Sequence, residues 1–332
     1  MASFVKAISY ALPETVLSNE RLVQEFPEWS LEKIGRKIGV QNRHVVKEGE
    51  CASDLAEKAA LALFKDWNID KKSVDFLLLC TQSPDYFLPS TACLLQHRLG
   101  LDINCGALDF NLGCSGFVYG LSLSKGLIES GTANNVLLLT AETYSKYLHE
   151  RDKGNRTIFG DAAAATLVSN EGFAEIGGFV LGTDGSGAGN LIVKTGAARN
   201  PQRFGDCTMD SQGNPVSSDH LFMNGSEIFN FSLDVVPEMI EKLLKKNEMT
   251  EDSVDLFVLH QANRYMLECL FDIMDVDEHK AFYCLSDVGN TVSSTIPIAL
   301  SEAKKEGRLK GNIVIAGFGV GYSWGGCVLK CK

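Results

Sequence analysis

Residues 73–80 read "SVDFLLLC" and residues 253–260 read "SVDLFVLH". The same Ser-Val-Asp and apolar run recur 180 positions apart, which is the mark of an internal duplication. A helix-like amphipathic stretch precedes each copy, "LAEKAALALFKDW" in one case and "VVPEMIEKLLKKN" in the other. Polar residues follow each copy, Thr81-Gln82 and Gln261-Ala262-Asn263. Farther along, "NLGCSG" leads through a helical pattern to "ESGTANNVLLLTAE", and "DVGNTVSS" leads through another to "KEGRLKGNIVIAGFG". Gly113-Cys114 therefore overlays Gly289-Asn290, 176 positions on.

Strands such as "NVLLLTA" and "NIVIAGF" are apolar without alternation, so the sheets that hold them are covered on both faces. With helical segments between such strands, the expected fold is α/β, a duplicated five-layer α-β-α-β-α sandwich. Its N-terminal half would span residues 1–171 and its C-terminal half residues 172–332. Two regions break the repeat. Residues 82–100, "QSPDYFLPSTACLLQHRLG", read as loop then helix. Residues 182–222 are rich in Gly, Ser, Asn and Asp and read as an irregular excursion, either solvated surface or a gate over a substrate.

A chain of 332 residues that is 45% hydrophobic can bury a large core. Its net charge of −11 counts against nucleic acid and anionic membrane surfaces as partners. No apolar run is long and glycine-free enough to span a bilayer, and "MASFVKAISYALPETVLSNE" lacks a signal-peptide pattern, so a cytoplasmic protein is expected. Ten cysteines without disulfide-like spacing fit a reducing compartment, and the nearest pair, Cys327 and Cys331, has no histidine beside it, so no structural metal is expected. Cys51, Cys80, Cys93, Cys105, Cys207, Cys269 and Cys284 read as small hydrophobes.

Cys114 differs from these. In "DFNLGCSGFVYG", residues 109–120, it stands where a strand-like run hands over to a helix. Unpaired N–H groups and the positive end of the helix dipole favour thiolate there. Gly113 and Gly116 let the chain turn sharply and a substrate approach closely. The duplication sets Cys114 and Asn290 at matching helix starts across a pseudo-twofold axis, with His260 at the end of "DLFVL" on the same side. His260 and Asn290 could then donate to one oxygen, an arrangement suited to an enolate or an oxyanion. Taken alone, His260 also fits a satisfied core histidine. Cys114, His260 and Asn290 also occur in the order of a papain-type peptidase, with 146 positions between Cys114 and His260. The peptidase signature around the nucleophile is absent, and the repeat has no place in such a fold.

The sequence resembles the thiolase-fold condensing enzymes, most closely the 3-oxoacyl-[acyl-carrier-protein] synthase III family. The resemblance rests on "FLPSTACLLQHRLG", "DFNLGCSGFVYGL", "RTIFGDAAAATLV", "FMNGSEIFNF", "HQAN", "GNTVSSTIPIAL" and "GFGVGYSWGG", in order along the whole chain. It implies that Cys114 takes an acyl group from an acyl-CoA as a thioester, and that His260 and Asn290 bind the carbonyl of a malonyl thioester through decarboxylation. Phe318 would shape the apolar pocket in which the carboxylate is lost. The backbone N–H groups of Cys114 and Val320 would form the other oxyanion hole. Leu88 would reach into the partner subunit of a homodimer, and Asn224-Gly225 would line the pantetheine channel. Acyl carrier protein would be a partner, and no cofactor is implied beyond coenzyme A or carrier thioesters.

The chain departs from the family pattern in places. Lys33 occupies the position of a tryptophan that stacks on adenine, and Lys153 that of the arginine on its other face. After "HQAN" the order is Arg264-Tyr265, and the helix that follows carries Glu268, Asp272, Asp275, Asp277 and Glu278 against Arg264 and Lys280. That face would repel an acidic carrier; docking near Arg36, Lys37 and Arg43 is the alternative. Transfer of the acyl group from Cys114 to an alcohol or amine, and a non-catalytic partner subunit, remain as other readings of the same fold.

Overall fold

The computed structural model describes residues 2–27, 29–210 and 213–332. The side chains of Lys33, Ile34, Arg36 and Lys37, within the helix Leu31–Ile38, lie outside the described residues. Five strands build the first sheet: β1 (Phe4–Ala11), β2 (Phe76–Cys80), β3 (Gly106–Phe110), β4 (Asn135–Glu142) and β5 (Ala162–Ser169). Their order is β3-β2-β4-β5-β1, parallel among β3, β2 and β4 and antiparallel thereafter.

The second sheet repeats this plan with β6 (Ala174–Thr183), β7 (Leu256–Leu259), β8 (Gly311–Gly319) and β9 (Ser323–Cys331), in the order β7-β8-β9-β6. β7 and β8 are parallel and the other pairs antiparallel. A single parallel bridge, Phe257 to Ala281, stands where β3 stands in the first sheet. The two sheets join through β1 and β6 at only two residue pairs, Phe4 with Glu175 and Val5 with Ala174.

Side-chain alternation within each strand assigns the layers. Leu77 and Leu79 of β2 face α1 (Ala52–Asp66) and α2 (Thr91–Leu99) in one core with Leu55, Leu63 and Leu95. Leu78, between them, faces the other way, into a core shared by α3 (Gly116–Glu129) and α6 (Thr295–Lys305). That middle core contains Phe117 and Leu121 of α3, Ile296 and Leu300 of α6, and Val258 and Ile313 of the second sheet. Phe257 and Leu259 of β7 face outward, against α4 (Gly225–Lys246) and α5 (Arg264–Ile273). The layers therefore run α1/α2, first sheet, α3/α6, second sheet, α4/α5, the expected five-layer sandwich. All eight residues of β5 are buried, as a strand covered on both faces requires.

The structure corrects one expectation about the surface. Arg43 lies on the short strand Asn42–Val45 and is fully buried. It donates to Asn19 Oδ1 from both terminal nitrogens at 2.8 Å and to the Leu17 carbonyl at 3.3 Å. Burial pushes its guanidinium down to about 10, against the pull of Glu20. Arg43 ties the N-terminal segment to the body and offers no charge to a docking protein.

Helix α3 lies very close to the first sheet. A Cβ on Gly120 would fall 2.5 Å from Leu138 Cδ1 and 3.2 Å from Phe110 Cζ. Gly120→Ala sets two effects against each other: alanine gains about 1 kcal/mol in helix propensity, while overpacking a filled core costs about 1–3 kcal/mol. Because Leu138 is itself buried in the middle core, the second effect should win. Gly120→Ala should lower the urea midpoint with an unchanged m-value, and in a Leu138→Ala background the added cost of Gly120→Ala should be smaller, as a double-mutant cycle would show. A stabilised Gly120→Ala protein would show that the layer has slack.

Candidate active site

Cys114 sits in the turn between β3 and α3, two residues before the helix begins, and is 6% exposed. The end of β8 passes directly beside it. A Cβ on Gly317 would come 2.5 Å from the Cys114 carbonyl oxygen, and one on Gly319 would come 3.0 Å from Sγ. Only glycine permits this approach. The backbone N–H groups of Cys114 and Val320 both favour negative charge on the sulfur, and Val320 packs against the cluster that holds Cys114, so the two amides expected to form an oxyanion hole lie at the thiol.

The equivalent turn of the second half holds Asn290. Its backbone is fixed at both ends, N–H to the Ile158 carbonyl at 2.9 Å and carbonyl to Gly160 N–H at 3.0 Å. Gly289 precedes it with φ +69°, where a Cβ would fall 2.8 Å from the Ile158 oxygen. Asn290 Oδ1 accepts the Val292 N–H at 2.9 Å, which leaves the side-chain NH2 as a donor. His260 follows β7 and is 2% exposed. Its Nδ1 lies 2.7 Å from Thr295 Oγ1, and Phe318 meets its ring edge to face at 5.7 Å between centroids. Val292 and Val320 both close on Gly113, at 3.4 and 2.5 Å from where its Cβ would stand. Contacts thus tie Cys114, His260, Asn290, Phe318 and Val320 to one locus between the halves.

The electrostatics differ from the sequence expectation. The start of α3 was expected to favour thiolate at Cys114. Instead burial, aided by the Glu142 carboxylate, pushes the thiol up to about 12 against the two N–H groups. The free protein therefore holds a thiol. Burial also pushes His260 down to about 3, so the ring is neutral at ordinary pH.

Glu142 is a residue the sequence reading passed over. It ends β4 fully buried and accepts hydrogen bonds from Gln82 N–H, Ser83 Oγ and Ser293 Oγ at 3.0–3.2 Å. Burial pushes its carboxyl up to about 8. Its signal was an acid closing the otherwise apolar run "NVLLLTAE". Because Ser293 belongs to the second half, Glu142 links both halves under the site.

Tyr144, Phe159, Leu191, Leu221 and Val292 share an apolar cluster with Cys114. Tyr144 donates to Gln82 Oε1 and Tyr147 to the Gln82 carbonyl. The 182–222 excursion thus divides: Leu191 and Leu221 wall the site, while Thr208, Met209 and Val216 are exposed.

A cavity of about 490 Å³ lies nearby, lined by residues that include Trp29, His149, Lys153, His220, Met223 and Gly225. Trp29 and Lys153 both line this cavity, whereas the side chain of Lys33, read into the tryptophan position, lies outside the described residues. Asn224 caps α4 by accepting the Glu227 N–H at 3.4 Å. Leu88 is 82% exposed, beside exposed Tyr86 and Phe87 and away from this chain's own Cys114 cluster. Arg264 opens α5, paired with Glu268 at 2.7 Å and 4.6 Å from the Tyr283 ring centre. Asp272, Asp275, Asp277 and Glu278 are all exposed beyond it.

Residues 108–185 match the family described as 3-oxoacyl-[acyl-carrier-protein (ACP)] synthase III, and residues 244–331 match its C-terminal part. The chain is 37% identical over 330 residues to the beta-ketoacyl-[acyl-carrier-protein] synthase III of Clostridium perfringens, with 98% of each covered. A crystal structure of a 3-oxoacyl-(acyl-carrier-protein) synthase III superposes with a TM-score of 0.97 at 50% identity, covering 99% of this chain and 100% of the other. The 3-oxoacyl-(acyl-carrier protein) synthase of Burkholderia xenovorans LB400 gives 0.90 at 33% identity, covering 100% and 95%. Two matching halves, meeting at a cysteine on one side and a histidine and an asparagine on the other, agree with these likenesses along the whole chain, and the chain belongs to the 3-oxoacyl-[acyl-carrier-protein] synthase III family.

Proposed function

We propose that this chain joins an acyl group, delivered as an acyl-CoA thioester, to the carbon freed when a malonyl thioester on acyl carrier protein loses carbon dioxide. Two different donor sets support the reading: the backbone amides of Cys114 and Val320 at the turn that holds the thiol, and the side chains of Asn290, held by Val292, and His260, held by Thr295.

In the first half-reaction Cys114 Sγ bonds to the thioester carbonyl carbon while the two backbone N–H groups hold the developing oxyanion. The bond to the coenzyme A sulfur then breaks, and that sulfur leaves with the proton that Cys114 gives up. In the second, the malonyl thioester oxygen takes hydrogen bonds from His260 Nε2–H and the Asn290 amide. The bond to the carboxylate breaks, its electrons pass into the enolate, and carbon dioxide leaves. Phe318, buried against His260, makes this an apolar place for a carboxylate, which favours its loss. The enolate carbon attacks the acyl carbonyl, Cys114 departs as thiolate and takes a proton from water, and the 3-oxoacyl product remains on the carrier.

The same reading includes a homodimer. β3 is the outermost strand of the first sheet and, among the described residues, has no partner on its far side. Leu108 on it is exposed, and the first half also exposes Tyr86, Phe87, Leu88 and Ile103, apolar residues that, with an open strand edge, suit a covering partner. A second copy of the chain would cover both, with Leu88 inserted toward its partner. Trp29 and Lys153 support coenzyme A or phosphopantetheine entering through the nearby cavity.

Cys114 alone among the ten cysteines should be acylated, as one adduct by intact-protein mass spectrometry. An adduct that persists in Cys114→Ala would defeat the assignment. Since its thiol stands at about 12, alkylation by iodoacetamide without substrate should speed up about tenfold per pH unit from pH 7 to 10. A plateau below pH 8 would mean a resting thiolate.

His260→Ala and Asn290→Ala should each keep self-acylation and lose about 100- to 1000-fold in carbon dioxide release. Equal loss of both half-reactions would refute the division between the donor sets. On the surface, Asp272→Lys should quicken the reaction with malonyl-carrier and leave acylation from coenzyme A unchanged. Such steering should fade above about 0.15 M salt, where the Debye length is about 8 Å. No effect of Asp272→Lys at low salt would place the carrier on another face.

A further inference from the structure

A neutral imidazole carries one ring proton, and the nitrogen that holds it is set by the partner of the other. For His260 to donate from Nε2, its Nδ1 must be an acceptor. The partner of Nδ1 is the Thr295 hydroxyl at 2.7 Å. Both residues are 2% exposed, so bulk water does not share this contact.

The Thr295 hydroxyl also lies 3.0 Å from the Val292 carbonyl oxygen. That oxygen already accepts the Thr295 backbone N–H, so it does not require the hydroxyl proton. We propose that Thr295 is a positioning residue for decarboxylation: its hydroxyl donates to His260 Nδ1, keeps the ring proton on Nε2 and fixes the ring plane against Phe318. This rests on the reading of His260 as a donor to the malonyl thioester carbonyl.

The turn that carries Thr295 strengthens the assignment. Val292 opens it with φ +56°, a left-handed conformation that a β-branched residue adopts only where its surroundings enforce it. The Val292 N–H in that conformation holds Asn290 Oδ1 at 2.9 Å. One turn, Val292 to Thr295, therefore orients both side-chain donors: its first N–H fixes Asn290 and its last hydroxyl fixes His260.

The test combines a spectroscopic readout with two variants. In protein labelled with ¹⁵N at histidine, with the His260 signals identified by their loss in His260→Ala, Nε2 should be protonated between pH 6 and 9. Nδ1 should be unprotonated and shifted by a hydrogen bond. A wild-type ring protonated on Nδ1 overturns the proposal. Thr295→Val, which keeps the shape and removes the hydroxyl, should lose the hydrogen-bond shift at Nδ1. It should also lower kcat for carbon dioxide release about 10- to 100-fold, with acylation of Cys114 unchanged, and Thr295→Ser should restore both. If Thr295→Val slows acylation equally, or Thr295→Ser restores neither readout, Thr295 acts by packing and the proposal fails. A wild type with the expected tautomer that releases no carbon dioxide upholds the role of Thr295 toward the ring and refutes the condensation reading instead.

Discussion

Two helix starts are buried face to face, and the site follows from that constraint. Helices α3 and α6 lie between the sheets, so the polar groups where they begin have little access to water. The protein must satisfy them from within. Ser115 bonds to Ser323 at 2.7 Å, Thr140 to Ser294 at 2.8 Å and Ser293 to Glu142 at 3.1 Å. Asn290 and His260 belong to the same set, held by Val292 and Thr295. Polarity at the centre of this fold is thus a condition of burying the helices, and the donors proposed for catalysis are drawn from that same set.

Burial also sets the charges. Cys114 rests as a thiol and His260 as a neutral ring, both because the site withholds water from them. Glu142, the carboxyl beneath them, is itself pushed up to about 8 by burial. A negative charge that develops during reaction therefore meets oriented dipoles in a low-dielectric setting, where each hydrogen bond is worth more than at a surface. Close packing keeps those dipoles aimed: Gly317 and Gly319 let the β8 backbone lie against Cys114, and Phe318 between them lies against His260.

Much of this was legible in the residues themselves. The repeated Ser-Val-Asp strand marks two halves, and the register between "NLGCSG" and "DVGNTVSS" brings Cys114 and Asn290 to matching turns. What stayed hidden depends on packing at a distance in sequence. Arg43 looked like a surface cation because nothing near it in the chain reveals that Asn19 and Leu17 enclose it. Thr295 drew no notice because a threonine at a helix start usually serves the helix, and its bond to His260 spans 35 positions. The thiolate expected at Cys114 followed from the helix end alone, whereas desolvation depends on the second half of the molecule closing over it.

The two donor sets differ in what can change them. The amides of Cys114 and Val320 are backbone, placed by the turn into α3 and by the glycines at the end of β8. No side-chain substitution removes an N–H other than one to proline. His260 and Asn290 are side chains, and each depends on a neighbour of its own. On the proposed reading, the backbone geometry secures the donors for acyl loading, while the thiol itself depends on Cys114. On the same reading, the decarboxylating half depends on two side-chain contacts, Val292 to Asn290 and Thr295 to His260. A chain of this architecture can lose or alter carbon–carbon bond formation without losing the acyl-enzyme, so a reading of its chemistry must rest on His260, Asn290 and the turn from Val292 to Thr295 rather than on the nucleophile alone.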